Sequence, residues 1–461
     1  MYPIRQSGLS RRAFLRGLSA LGVGAALAAC APSAAPESGT TAGGSGEAPS
    51  KEGVTIQYWV FWSQLGALKE AFEQTEEWQE AMGDNTWEFR SGIEQEARLT
   101  AVAAGTPPDI GALGNYLDFM IRGVVIPLDD YVEASDIIDP EQFIESNWEV
   151  CQHEGKTYGI PANECFVRRG LNYNVRLVEE AGLDPDNPPV TWDELFAWHE
   201  KLTKFDSAGN IVQIGIDPYD AEGGTGPGND GWFLQESWGF NYYNEETREF
   251  NLDHDKMAAA FEVMGEFIKL IGPDNLVGLR SVEGQGTWGA AYTAQVQAMI
   301  IEGYWHPGET YNENPDVAQY NRATWVPVPE DRRGTKIQFG GGHMVQIFRD
   351  GRYKDEAWPI AEWLQSKSCN DLIYDNIGWL PAYKPYFNQA DQNKYPGLKF
   401  YFDSVAEANY WGPFIRCPIQ AFVQQKYQEL REAVYRGQMT GAQAAARLQE
   451  EAVKELEASG F

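Results

Sequence analysis

Residues 54–60 read Val-Thr-Ile-Gln-Tyr-Trp-Val and open the pattern that decides the fold. The apolar positions Val54, Ile56, Tyr58 and Val60 recur with the period of two that is typical of a β-strand. The next segments predict a helix, a strand, a helix and a strand, in that order, at Leu65–Met82, Thr86–Arg90, Ile93–Ala104 and Asp109–Ile110. Gly83 and Gly105 are expected to end the two helices. This alternation predicts an α/β layer built on a parallel sheet.

Later stretches predict more of both elements. A strand is expected at Phe166–Tyr173, and Thr191 with Glu194 has the spacing of a capping box that opens a helix. A later amphipathic helix carries apolar residues at positions 261, 264, 268 and 271, and Thr440 with Gln443 begins a C-terminal helix. At 461 residues, the chain is long enough for two or three domains.

The N-terminus predicts export. Residues 10–16 read Ser-Arg-Arg-Ala-Phe-Leu-Arg, and a short apolar run at 17–29 ends in Leu-Ala-Ala before Cys30. This order is typical of a twin-arginine-like signal over residues 1–29 followed by a lipobox, with Cys30 lipidated. Residues 31–53 are rich in Ala, Pro, Ser and Gly, which predicts a flexible tether. We therefore expect an extracytoplasmic protein anchored to the membrane by lipid, exported by the twin-arginine or the general secretory route.

Charge and cysteine content narrow the possible partners. The chain has 67 acidic and 36 basic residues, a net charge of −31, which disfavours nucleic acid and anionic lipid as partner surfaces. Besides Cys30 there are four cysteines, at positions 151, 165, 369 and 417, without any CxxC spacing. They are expected to be buried free thiols or to form one or two disulfides, and the sequence leaves both open.

Motifs of enzymes are scarce. The five histidines form no HExxH motif, and no GxSxG occurs. Two GxGxxG matches, Gly226–Gly231 and Gly284–Gly289, follow no clear strand, so dinucleotide binding is not expected. We predict a protein that is not an enzyme and that needs no cofactor or metal.

Seven stretches occur in the order seen in one family, at 103–110, 155–161, 171–174, 180–183, 189–195, 298–305 and 340–342. Together they resemble the extracellular solute-binding proteins of ABC sugar importers, the group that includes maltose-binding protein. The resemblance implies a two-lobed periplasmic-binding-protein type II fold with a hinge and an inter-lobe cleft. It implies a first lobe at 54–168 and 344–387, and a second lobe at 169–343 and 388–461.

The candidate binding residues combine aromatic platforms with hydrogen-bonding groups, as a sugar requires. Nine of them stand near strand ends or near the two expected crossings between lobes: Trp62, Asn115, Tyr116, Asn163, Glu164, Trp305, Gly341, Gly342 and His343. Trp238, Trp379 and Arg416 are further candidates. Trp305 is where the family places a stacking aromatic. Asp109 is expected to support the end of its strand rather than to touch a ligand.

The resemblance implies a monomeric binding protein that captures a mono- or oligosaccharide and delivers it to the permease subunits of an ABC transporter. A first alternative keeps the fold but binds a peptide, a polyol or a polyol phosphate, for which Arg168, Arg169 and Arg416 would supply positive charge. Further alternatives are a secreted carbohydrate-active enzyme and a sensory or adhesive lipoprotein.

Overall fold

The structure, a computed structural model, describes residues 53–219, 234–276 and 290–460. The export signal, Cys30, the tether through residue 52 and both GxGxxG matches lie outside these ranges. Within them, no helix is both long and apolar enough to cross a membrane.

The described strands are β1 to β16 in chain order: Thr55–Val60, Thr86–Arg90, Ile110–Ala112, Gln152–His153, Lys156–Thr157, Ile160–Pro161, Leu171–Asn174, Lys204–Phe205, Ile211–Gln213, Tyr243–Asn244, Glu249–Phe250, Met299–Ile301, Asn321–Thr324, Ile337–Gln338, Met344–Ile347 and Tyr410–Trp411.

The described α-helices are α1 to α19: Lys69–Glu73, Glu76–Met82, Gln95–Ala103, Tyr116–Ile121, Asp129–Ala134, Glu145–Glu149, Val175–Glu180, Trp192–Leu202, Leu234–Trp238, Asp255–Ile271, Ala290–Thr293, Trp305–Glu313, Pro315–Ala318, Lys354–Trp363, Lys367–Asn376, Lys384–Phe387, Leu398–Glu407, Gln420–Tyr435 and Gly441–Ser459. Short 3-10 helices occur at Gln64–Leu68, Pro140–Gln142 and Glu330–Arg332.

A five-stranded sheet, ordered β2-β1-β3-β15-β6, organises the first half of the chain. Strand β1 pairs in parallel with both β2 and β3, as the strand–helix alternation predicts. The late strand β15 then joins antiparallel to β3 and β6, so a distant segment completes the sheet. Asp109 supports this junction, because its carboxylate accepts hydrogen bonds from the backbone N–H of Gln57 at 2.8 Å and of Tyr353 at 3.0 Å.

A second sheet has three strands, with β12 and β13 both antiparallel to β7. Each sheet has its own apolar core. The first core surrounds the five-stranded sheet, whereas the second contains β7, α8, α10, α18 and α19. Trp305 and Tyr401 pack in the first core although both lie in segments predicted for the second lobe. The exact lobe boundaries stay a prediction.

The chain passes between the two cores along paired segments. The backbone N–H of Ala162 donates to the His343 carbonyl at 3.1 Å, and that of Arg168 donates to the Phe339 carbonyl at 3.0 Å. Val167 and Gly340 form an antiparallel bridge between these bonds. Residues 162–168 and 339–343 therefore run side by side as a two-stranded connection, which we call the paired crossing.

Two predicted elements differ from the structure. The helix predicted at Leu65–Met82 is three short pieces, because the Thr75 side chain accepts a hydrogen bond from Trp78 N and starts a new helix. The strand predicted at Phe166–Tyr173 begins only at Leu171, since the preceding residues belong to the paired crossing. The capping boxes at Thr191 and Thr440 are both present.

The four cysteines of the described chain are all buried free thiols, which decides between the two alternatives that the sequence leaves open. Burial raises the pKa of each thiol, most clearly for Cys151 and Cys369. These thiols are therefore protonated and poorly reactive at neutral pH.

Candidate functional site

A cavity of about 750 Å³ lies between the two cores, beside the paired crossing. Its volume falls within the range of about 300–1,000 Å³ that is usual for small-molecule sites. Residues from both halves of the chain line it. They include Phe61, Gln95, Arg98, Asn115, Tyr116, Asp118, Arg168, Arg169, Gln235, Glu236, Tyr242, Phe339, Gly342, His343, Phe414, Ile415 and Gln424.

Four aromatic side chains give this cavity flat apolar faces. Phe61 follows β1 and Tyr116 opens α4, so both come from the half of the molecule that is built on the five-stranded sheet. Phe339 lies in the paired crossing, and Phe414 follows β16. All four are only partly buried. Phe414 also packs against the apolar cluster around Trp59 and Phe119, so this segment reaches across to the first sheet.

A chain of polar contacts runs along one side of the cavity. The Tyr116 hydroxyl lies 3.4 Å from His343 Nδ1, and His343 Nε2 lies 3.3 Å from a carboxylate oxygen of Glu164. The same carboxylate accepts from Arg168 Nη1 at 3.4 Å and from the Tyr304 hydroxyl at 3.3 Å. Each group is thereby held in place by the next.

The protonation of this chain follows from burial. Burial lowers the pKa of His343 well below its usual range, and the nearby cations Arg168 and Arg98 lower it further. A neutral imidazole can donate from Nε2 to Glu164 and accept at Nδ1 from Tyr116. Burial also raises the pKa of Glu164, against the opposing effect of Arg168.

A second charged pair lies deeper. Arg169 donates from Nε and Nη2 to the two carboxylate oxygens of Glu236, at 2.8 and 3.0 Å, and both side chains are at most 5% exposed. The Gln338 side chain fixes the backbone of Arg169. Its Oε1 accepts a hydrogen bond from the Arg169 N–H at 2.8 Å, and its Nε2 donates to the Arg169 carbonyl at 3.2 Å. A fully paired arginine of this kind is a rigid donor whose charge is balanced.

The glycines of the paired crossing let the backbone reach the cavity. Gly341 and Gly342 have φ angles of 132° and 117°, which side chains disfavour. A Cβ on Gly342 would lie 2.6 Å from Arg168 Nη1, so the arginine packs directly over the glycine. Gly342 lines the cavity, and Gly341 lies beside it.

Four of the residues predicted from sequence line the cavity: Asn115, Tyr116, Gly342 and His343. Glu164 does not line it, but its carboxylate contacts the cavity residues His343 and Arg168. Asn115 has a φ of 54° at the start of α4 and is exposed. Contact of these five residues with a ligand stays a prediction.

The structure places the four predicted tryptophans in cores, not on the cavity wall. Trp62, Trp305 and Trp379 are at most 6% exposed in the first core, and Trp238 is 3% exposed in the second, stacked on Trp192 at 5.1 Å. Trp62 still supports the site, since its ring meets His343 edge-on at 4.9 Å. Trp305 likewise underlies the Arg168 guanidinium at 4.5 Å.

Asn163 and Arg416 have structural partners instead. Asn163 is buried and donates to the Leu364 carbonyl at 2.6 Å and to Asn370 Oδ1 at 2.9 Å. Arg416 donates to the carbonyls of Glu149 at 2.6 Å and Gln152 at 3.0 Å, so it joins the segment after β16 to the segment after α6. It lines a neighbouring groove and not the cavity.

Sequence reasoning missed Phe61, Arg98, Glu236, Phe339 and Phe414 as cavity residues. Phe61 had a usable signal, because it directly follows the first strand and precedes the predicted Trp62. The pairing of Arg169 with Glu236 spans 67 positions and leaves no pattern in the sequence.

Two α/β bodies that share a paired crossing and enclose a polar cavity form the architecture of a binding protein that closes around a solute. The chain belongs to the family of bacterial extracellular solute-binding proteins, whose family model matches residues 62–368. A family of extracellular proteins places the chain outside the cytoplasm. A protein of Brucella abortus named as a binding protein is 26% identical over 309 residues, covering 65% of this chain and 70% of its own.

Solved structures share the fold over most of the chain. CpMnBP1 with mannotriose bound has a TM-score of 0.73 at 22% identity, covering 87% of this chain and 100% of its own. The substrate-binding protein Lmo0181 of Listeria monocytogenes, in complex with cycloalternan, has a TM-score of 0.69 at 17% identity, covering 88% and 99%. At these identities the likeness establishes a periplasmic-binding-protein fold.

Proposed function

We propose that the protein captures a carbohydrate in the cavity between its two cores and delivers it to the permease of an ABC transporter. The observation that carries the proposal is the combination, in one cavity, of four partly exposed aromatic rings with two buried arginine–carboxylate pairs. The mannotriose and cycloalternan complexes of proteins with this fold support the same ligand class.

The physical fit follows from the two surfaces of a sugar. The C–H face of a pyranose ring packs on aromatic rings such as Phe61 and Phe339, while the hydroxyl rim requires donors and acceptors that are already oriented. Arg168 and Arg169 are held by their carboxylates, so little side-chain entropy is lost on binding. Closure about the paired crossing would then bury both surfaces.

The direct test is a thermal-shift screen of neutral and acidic mono- and oligosaccharides, followed by calorimetry on each hit. A ligand that binds only the folded state raises the melting temperature, by an amount that grows with its concentration. Phe339→Ala should weaken a hit, whereas Phe205→Ala, at an exposed aromatic away from the cavity, should not. Binding of no saccharide in either assay would reject the proposal.

We further propose a monomer anchored through lipidated Cys30, since a lipoprotein cysteine carries enough acyl chain for stable attachment. Replacing Cys30 by Ser should release the protein into the medium or periplasmic fraction, and continued membrane association would reject the anchor. Size-exclusion chromatography with light scattering tests the monomer. Replacing Arg11-Arg12 by Lys-Lys tests the export route.

The chain is proposed not to be an enzyme. Incubation with an oligosaccharide hit should return it intact, whereas released reducing ends would establish the alternative of a carbohydrate-active enzyme. A polyol phosphate ligand gains little support, because Arg168 and Arg169 already pair with Glu164 and Glu236 and Arg416 binds backbone carbonyls.

A further inference from the structure

One arginine on the cavity wall differs from its neighbours in having no carboxylate partner. Arg98 lies on α3, and its guanidinium stands 5.3 Å from the centre of the Phe61 ring while Nη1 donates to the Leu113 carbonyl. Its Nε is buried without a hydrogen-bond acceptor among the described residues. No carboxylate among the described residues forms an ion pair with it. Burial lowers the pKa of Arg98, whereas the nearby Tyr116 and Glu94 act in the opposite direction.

Each of the other charged side chains that the structure describes on the cavity wall has a partner of opposite charge. Arg168 pairs with Glu164, Arg169 with Glu236, and the cavity-lining Asp118 with Arg122 at 2.6 Å. His343 is neutral, because burial and the two arginines lower its pKa. The described cavity wall therefore carries a surplus of one positive charge, in a chain whose net charge is −31.

A surplus positive charge on the cavity wall favours a ligand that carries a negative charge over a neutral one. Hydroxyl groups are well served by paired arginines, which present donors without net charge. An unpaired guanidinium that is partly withdrawn from water is stabilised most by an anion, through charge-assisted hydrogen bonds. A carboxylate brings one negative charge, whereas a phosphate monoester brings about 1.5 to 2 at neutral pH. The surplus of one matches the carboxylate.

We propose that the ligand is an acidic carbohydrate, a sugar or oligosaccharide bearing a uronate carboxylate, and that Arg98 binds this carboxylate. This inference rests on the proposed carbohydrate function and specifies its ligand class. Gln95 and Asn115 also line the cavity, and Gln95 Nε2 lies 3.5 Å from Asn115 Oδ1. Their amides supply neutral hydrogen-bonding groups near Arg98.

The experiment compares matched ligands on the full chain by calorimetry: glucose with glucuronate, galactose with galacturonate, the corresponding short oligosaccharides, and glucose 6-phosphate. The uronate member of at least one pair should bind about 10-fold or more tighter than its neutral partner, as a charge-assisted bond implies. Its affinity should fall as salt is raised, whereas that of a neutral sugar should not.

Variants locate the effect. Arg98→Met should weaken the uronate by about 10- to 100-fold, leave a neutral sugar nearly unchanged and remove the salt dependence. Arg98→Lys should restore part of the affinity, because it keeps the charge. Arg90→Met is the control: it removes an exposed guanidinium that pairs with Glu88 on strand β2, away from the cavity wall, and should change the binding of neither ligand.

The outcomes separate the two levels of the argument. Neutral sugars that bind as well as uronates, with Arg98→Met weakening both equally, would overturn the acidic ligand and leave the carbohydrate function standing. Preference for the phosphate would overturn the carboxylate assignment. Failure of every saccharide to bind would reject the proposed function itself.

Discussion

Arg416 offers the sharpest test of how the two halves of the molecule are held together. Its guanidinium donates to the backbone carbonyls of Glu149 and Gln152, which lie on the side of the first core, whereas Ile415 and Cys417 beside it are buried in the second. Glu245 fixes the backbone at this position, because its carboxylate accepts a hydrogen bond from the Arg416 N–H at 2.7 Å. Arg416→Met keeps the aliphatic stem and removes both bridging bonds.

The magnitude follows from the exposure of the bridge. Hydrogen bonds from a charged donor contribute about 1.5–3 kcal/mol each when they are desolvated. The Arg416 side chain is 24% exposed, and solvent screening reduces the two bonds together to about 2 kcal/mol. That free energy corresponds to about a 30-fold change in the equilibrium between joined and separated halves.

Small-angle scattering of the unliganded protein and calorimetry with a saccharide hit measure this effect. Arg416→Met should increase the radius of gyration of the unliganded protein and weaken ligand binding by up to about 30-fold, because the joined form becomes less populated. Arg436→Met is a matched control, since Arg436 is similarly exposed and its partners Glu432 and Asp274 do not cross the cavity. An Arg416→Met protein with unchanged scattering and unchanged affinity would refute the bridge.

Three further predictions concern stability. Burial raises the pKa of the Glu309 carboxyl from 4.5 to about 8. The folded state therefore holds this proton more tightly than the unfolded state, and the free energy of unfolding should fall as pH rises between these values. Glu309→Gln should lessen that fall, and an unchanged pH dependence in urea titrations would contradict the assignment. Gly378→Ala would place a Cβ 2.5 Å from the Cα of Gly308, at a position whose φ is 96°. It should lower the free energy of unfolding by at least about 1 kcal/mol more than Gly437→Ala, because Gly437 also has a positive φ but has open space around it. Equal losses of stability in chemical denaturation would show that the steric clash at Gly378 has no effect. Thr191→Ala should cost about 1 kcal/mol because it removes a capping box, and a change below about 0.3 kcal/mol in the same assay would contradict this.

Local signals in the sequence were sufficient for much of the fold. The strand at 86–90 has the predicted bounds, and the parallel pairing of the first strands follows from their alternation with helices. Thr191 and Glu194 form the capping box that their spacing predicts, because that interaction depends on residues only three apart. The helix at 65–82 was less predictable, since Thr75 satisfies backbone groups that a continuous helix would have used.

The candidate site was harder to predict because its residues meet through tertiary contacts. A tryptophan after a strand can face the cavity or the core, and Trp62 faces the core while its neighbour Phe61 lines the cavity. Tyr116 was predicted from its position just past a strand, and His343 from the second crossing that the family resemblance implies; both line the cavity. The surplus charge of Arg98 could not be read from the sequence, since it depends on which carboxylates pair with which arginines.

The paired crossing has a practical consequence. Two hydrogen-bonded segments side by side resist sliding and stretching, so we expect the two halves to move by rotation about this crossing. Occupancy of the cavity would then be expressed as a single distance between opposite walls. Fluorophores attached at Asp118 and Gln424, on the rim of the cavity, should report that distance by energy transfer. A protein labelled in this way would serve as an optical sensor once its ligand is identified.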